Sequence, residues 1–148
     1  MNVKKFISSG MCLSFLALSS AAWANPYDYK VVEVVDGDTV KVEASWLPKE
    51  LGSSLSLRVM GIDTPEKGGR AKCQQEAELG AKATKFAKDT IKPGQIIQVN
   101  ILDWDKFGGR IDADIFINGK KFADMQIAAG LARPYFGEAK SSWCGATK

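Results

Sequence analysis

The chain has 148 residues, with 20 basic and 17 acidic side chains and no histidine. That near balance excludes a protein that grips nucleic acid through a broad basic coat. The missing imidazole excludes a histidine general base and leaves zinc without its usual nitrogen ligand.

The N-terminus reads as an export signal. Lys4 and Lys5 precede a largely apolar run from Phe6 to Ala21, and Ala22-Trp23-Ala24 offers a small-x-small cleavage pattern before Asn25. A retained anchor is the alternative, but serines interrupt the run and it is short for a membrane span. The expectation is a signal over 1–24, loss of membrane association on cleavage, and a periplasmic or secreted product. Residues 25–148 then form one monomeric domain of about 124 residues with 18 basic and 17 acidic groups. Cys12 leaves with the signal. An oxidising compartment favours a bridge between Cys73 and Cys144 over two separate thiols. Closing that loop contributes on the order of 4 kcal/mol in the chain-entropy treatment.

Residues 29–35 and 39–44 read as two strands joined at Asp36-Gly37-Asp38, with Val40, Val42 and Ala44 alternating against Lys41 and Glu43. A loop follows over 45–54, punctuated by Pro48 and Gly52. Leu55, Leu57 and Val59 mark a third strand with Arg58 on its opposite face. Over 74–91 the period becomes helical, with Leu79, Ala83, Phe86, Ala87 and Ile91 on one side and Lys82, Lys85 and Lys88 solvated. Lys92-Pro93-Gly94 ends that helix. Ile97, Val99 and Ile101 give a fourth strand, and Ile111, Ala113, Ile115 and Ile117 a fifth that carries Arg110 on its polar face. After the Asn118-Gly119 turn, a helix over about 120–129 buries Phe122, Met125 and Ala129 and stops at Gly130. This order predicts an α+β, mainly β fold: a five-stranded OB-fold Greek-key barrel with two or three packed helices.

Three charged clusters carry the chemistry. Asp36-Gly37-Asp38-Thr39 alone is ordinary turn chemistry. Arg58 followed by Asp63-Thr64-Pro65-Glu66 is more specific, because surface ion pairs contribute only about 0–1 kcal/mol and give little reason to concentrate charge there. Asp105-Lys106-Phe107-Gly108-Gly109-Arg110 is either a solvated turn or a loop presenting an arginine to phosphate oxygens. Gathered together, Asp36, Asp38, Asp63 and Glu66 outweigh Arg58 and Arg110, and one divalent cation restores neutrality. An oxygen-only donor set favours Ca²⁺, Mg²⁺ or Mn²⁺ over softer metals, extracellular calcium makes Ca²⁺ the first choice, and the whole suits metal-assisted attack on a phosphodiester.

The three clusters, in this order over residues 28–136 and followed by Gly130-Leu131-Ala132-Arg133, resemble the staphylococcal nuclease (thermonuclease-like) family. The resemblance implies an OB-fold and Ca²⁺-dependent hydrolysis of DNA and RNA, single-stranded or frayed, with the 5′ oxygen expelled and 3′-phosphate ends left. Carried over by position, Asp38, Asp63 and the Thr64 carbonyl ligate the metal, with Asp36 close by. Arg58 and Arg110 hold the phosphate, and Glu66 activates water. Gly109 is an extra residue against the family pattern, so a local bulge that preserves Arg110 is expected. Tyr135, Phe136 and Trp46 are either base-stacking groups or packing elements. Lys67, Arg70 and Lys72 are candidates for steering substrate. The competing reading is a non-catalytic OB-fold module that binds single-stranded nucleic acid or a protein ligand.

Overall fold

Alternating apolar and polar side chains build the strands of this computed structural model, which describes residues 26–106 and 109–145. The export signal over 1–24, Cys12, and Phe107-Gly108 lie outside the described residues. The strands are β1 (Tyr27–Val34), β2 (Thr39–Glu43), β3 (Ser54–Val59), β4 (Ile62–Asp63), β5 (Ile96–Trp104), β6 (Arg110–Ile117), β7 (Lys120–Lys121) and β8 (Arg133–Pro134). Two α-helices, α1 (Gln74–Thr90) and α2 (Phe122–Ala128), pack against them.

Strands β3, β2, β1, β5 and β6 follow one another in a single sheet, and a parallel pairing of β3 with β6 closes it into a five-stranded barrel. The expected OB-fold is therefore present. Its interior takes the inward rows Val40/Val42, Leu57/Val59, Ile97/Val99 and Ile111/Ala113/Ile115/Ile117, all buried. Helix α1 seats Ala83 and Ala87 on the barrel, and its Phe86 stacks on Phe122 of α2 with ring centroids 6.4 Å apart.

Two details differ from the sequence reading. Ile101 is exposed, because a register shift between Ile101 and Asp103 releases it from the inward row. In α2 the buried residues are Phe122, Ala123 and Gln126, with Met125 half-buried and Ala129 exposed. Lys120 and Lys121 pair with Phe116 and Ile117 as a short strand, so the helix starts later than expected and presents a different face.

The bridge between Cys73 and Cys144 is formed. It ties the C-terminal segment to the start of α1 across 71 positions of sequence.

Candidate active site

One end of the barrel carries a cavity of about 250 Å³ lined by Asp36, Asp38, Arg58, Thr64, Glu66 and Arg110, together with Lys67, Arg70 and Lys140. Each wall is fixed by a different element.

The turn between β1 and β2 supplies the two aspartates. The Val35 amide donates to the Thr39 carbonyl at 2.9 Å, and the Asp38 amide to Asp36 Oδ1 at 3.4 Å. Gly37 is required for close approach: a Cβ there would stand 3.0 Å from that of Ala83 on α1. The buried Gln126 of α2 donates from Nε2 to the Gly37 carbonyl at 2.7 Å, so both helices hold this turn. Asp38 accepts from Thr39 Oγ1 at 2.9 Å, and its Oδ2 lies 3.9 Å from Arg58 Nε. Burial, and then the neighbouring Asp36 charge, push the Asp38 carboxyl up to about 6 against the opposing pull of Arg58.

Both arginines stand on the cavity wall. Arg58 leaves the polar face of β3, and Arg110 opens β6. A single buried carboxylate connects them: Asp105 Oδ2 receives Arg110 Nε at 3.0 Å and Nη2 at 2.7 Å, and lies 3.8 Å from Arg58 Nη1. The Asp105 amide also donates to the Arg110 carbonyl at 3.0 Å. That bond closes the hairpin on the Arg110 side of the additional Gly109, which takes a positive φ of 78°.

Glu66 is positioned through its backbone. The buried Glu76 of α1 accepts from the Glu66 amide at 3.4 Å and from the Lys72 amide at 2.7 Å. Helix α1 approaches so closely that a Cβ at Gly80 would lie 2.3 Å from the Glu66 carbonyl oxygen. The Glu66 side chain itself is half exposed, with Oε2 at 3.2 Å from Arg70 Nε, while Arg70 Nη2 reaches Asp36 Oδ2 at 3.2 Å. Lys67 donates to the Val35 carbonyl at 2.6 Å.

Asp63 is placed differently from the other acidic residues. It is buried and faces an adjoining small cavity with Lys72, Ser142 and Trp143. Its Oδ2 accepts from Trp143 Nε1 at 3.0 Å, and its Oδ1 lies 2.6 Å from Lys140 Nζ. Thr64, next in sequence, does line the main cavity. The sequence count of charges is corrected as a result. Lys67, Arg70 and Lys140 join the two arginines, and with Asp63 and Asp105 counted beside Asp36, Asp38 and Glu66 the charges balance at five of each sign.

Sequence reasoning missed Gly80, Glu76, Gln126 and Lys140. Two of these left a readable signal: a glycine within a helical run, and a glutamate three positions after the Cys73 cap, the spacing of a capping box. Of the aromatic candidates, Tyr135 and Phe136 line a second groove of about 630 Å³ with Leu102 and Trp104. Trp46 is exposed and lines neither hollow.

The donors suit a hard cation in part. Among the described residues no three acidic side chains converge as a preformed cage. Asp36, Asp38 and Thr64 nevertheless present only oxygen, and the Asp38 carboxyl is raised by desolvation first and by the neighbouring Asp36 charge second. Such a pair fits a divalent ion that keeps part of its water shell.

Residues 56–144 match the family described as staphylococcal nuclease homologue. The thermonuclease of Staphylococcus hyicus is 30% identical over 115 residues, covering 76% of this chain and 62% of that protein. An uncharacterized protein of Methanocaldococcus jannaschii is 34% identical over 130 residues, covering 74% of this chain and 59% of its own length. An SPbeta prophage-derived endonuclease of Bacillus subtilis is 31% identical over 111 residues, covering 72% of this chain and 33% of its own. The chain thus spans less than two thirds of each of these relatives. With a closed five-stranded barrel beneath that match, the chain belongs to the staphylococcal nuclease homologue family.

Proposed function

We propose that this protein is a divalent-cation-dependent nuclease that hydrolyses phosphodiester bonds in DNA and RNA. One observation carries the reading: Arg58, Arg110, Glu66, Asp36 and Asp38 share the wall of one open, water-accessible cavity. Arg58 and Arg110 donate to the phosphate oxygens and stabilise charge as the pentacoordinate state forms. Asp105 holds both guanidinium groups in a fixed relation, so little reorganisation is needed when charge develops. Glu66 takes the proton of the attacking water, and Arg70 limits the rotamers open to it. Asp38, Asp36 and the Thr64 carbonyl would hold the cation, with Asp63 available through the carboxylate lone pairs that Trp143 and Lys140 leave. When present, Ca²⁺, with Mg²⁺ or Mn²⁺ as alternatives, would supply charge neutralisation and polarisation of the phosphoryl group.

Water attacks and the 5′ oxygen leaves, giving a 3′-phosphate end. Since the 2′-hydroxyl takes no part, DNA and RNA both qualify. The exposed Trp104 and Phe136 in the adjoining groove support a single-stranded or frayed substrate, whose bases stack there. The signal-like residues 1–24 support export to the periplasm or beyond.

Cleavage of denatured DNA and of RNA, each with Ca²⁺, with Mg²⁺ and with chelator, tests the reading. Cation-dependent cleavage to 3′-phosphate ends is expected, and Glu66→Gln should lower kcat by about 10²- to 10⁴-fold without loss of binding. Strand binding with no cleavage under any cation would identify a binding module instead.

A further inference from the structure

Lys140 stands where three hollows meet: the main cavity, the aromatic groove and the small cavity behind Asp63. It belongs to none of the three charged clusters. It comes from the C-terminal segment, which three contacts hold in place: the Cys73–Cys144 bridge, the Trp143 indole on Asp63 at 3.0 Å, and the Arg133 guanidinium stacked 3.7 Å over the Trp143 ring. The Lys140 ammonium lies 2.6 Å from Asp63 Oδ1 and 5.3 Å from the Tyr135 ring centroid.

We propose that Lys140 is a substrate contact, whose ammonium holds the phosphate neighbouring the scissile one as a single strand passes from the aromatic groove into the cavity. The inference rests on the nuclease reading for which phosphate is scissile, but its core, a phosphate contact by Lys140, does not. Three physical points support it. An ammonium carries three donors, and Asp63 accepts from it at one oxygen. The side chain is 45% exposed although Asp63 is buried, so a phosphate reaches the ammonium from the solvent side while the bond to Asp63 is kept. Finally, stapling the segment to α1 fixes a long, flexible lysine near the site, which lowers the ordering cost of binding.

The test is equilibrium binding of a short single-stranded oligonucleotide to the chain in chelator, across a salt series, with steady-state kinetics run in parallel. Lys140→Met should weaken binding about threefold to tenfold and reduce the slope of log K against log salt by about 0.7, the loss of one single-strand phosphate contact. KM should rise with kcat little changed, and Lys140→Arg should restore the slope. Replacing both Cys73 and Cys144 by Ser should reproduce the slope change, with Lys140→Met adding nothing further, while circular dichroism reports an intact barrel. An unchanged slope in a folded Lys140→Met protein overturns the proposal, as does faster turnover, which would make Lys140 an obstruction. If the parent binds with the expected slope difference but cleaves nothing, the nuclease reading fails and the Lys140 contact stands.

Discussion

Asp38 concentrates the electrostatics of the site in one residue. Its carboxyl is raised from an ordinary 3.8 to about 6, by burial first and by Asp36 second. A folded state that binds the proton more tightly than the unfolded chain is favoured at low pH. The contribution is therefore full below about pH 4 and is lost as pH rises through about 6. The rise corresponds to about 3 kcal/mol at about 1.4 kcal/mol per pH unit. Urea melts in chelator should find Asp38→Asn increasingly more stable than the parent between about pH 4 and pH 7, with saturating Ca²⁺ removing the difference. A difference that stays constant with pH would show that Asp38 is not held uncharged by its surroundings. Part of this was legible in the sequence. The sequence puts Arg58 and Arg110 on polar strand faces because the apolar rows beside them are regular, and strand geometry leaves them no other direction. Asp63 was not legible in the same way. Its partners, Trp143 and Lys140, lie about 80 positions away and are brought to it only by tertiary structure.

At the scale of elements, α1 determines where the chemistry sits. One face of this helix packs on the barrel through Ala83 and Ala87, while Gly80 and Glu76 seat the Pro65–Glu66 backbone. The strands and this helix were readable because their periods, two and 3.6, are set by local geometry. The exposure of Ile101 and the altered face of α2 were not, since a bulge and a two-residue strand depend on what pairs across the sheet. Gly80 makes the point testable. Glycine inside a helix costs about 1 kcal/mol relative to alanine, so propensity alone makes Gly80→Ala stabilising. The structure predicts the reverse, because the added Cβ would meet the Glu66 carbonyl carbon at 2.5 Å and the Pro65 carbonyl oxygen at 2.8 Å. Those are backbone atoms and have no rotamer to relax into. Stability should fall by about 1–3 kcal/mol, and displacement of Glu66 by about 1 Å should cost on the order of 10²-fold in kcat. Thermal melts and single-turnover rates decide it, and a variant with full activity would show that α1 does not fix Glu66.

For the molecule as a whole, the Cys73–Cys144 bridge joins stability to the architecture of the site. The barrel closes through β3 and β6, a pairing that uses no residue of the C-terminal segment. The bridge's stabilising effect comes chiefly from restricting the unfolded chain, about 4 kcal/mol for a loop of this length. Replacing both cysteines by serine should therefore lower Tm by roughly 10–20 °C and leave the far-ultraviolet spectrum of the folded protein unchanged. Trp143→Ala makes the contrasting case. With the bridge intact, the unfolded chain stays restricted, and the loss is that of one buried ring and the Asp63 hydrogen bond, about 3–5 kcal/mol. Kinetic melts separate the two origins. Restriction of the unfolded chain slows refolding when it is removed, provided the loop closes before the folding barrier, whereas a native contact formed after that barrier acts on unfolding alone. If the serine variant unfolds faster and refolds at the parent rate, the segment docks late onto a finished barrel. The bridge then serves mainly to hold Trp143 and Lys140 beside Asp63.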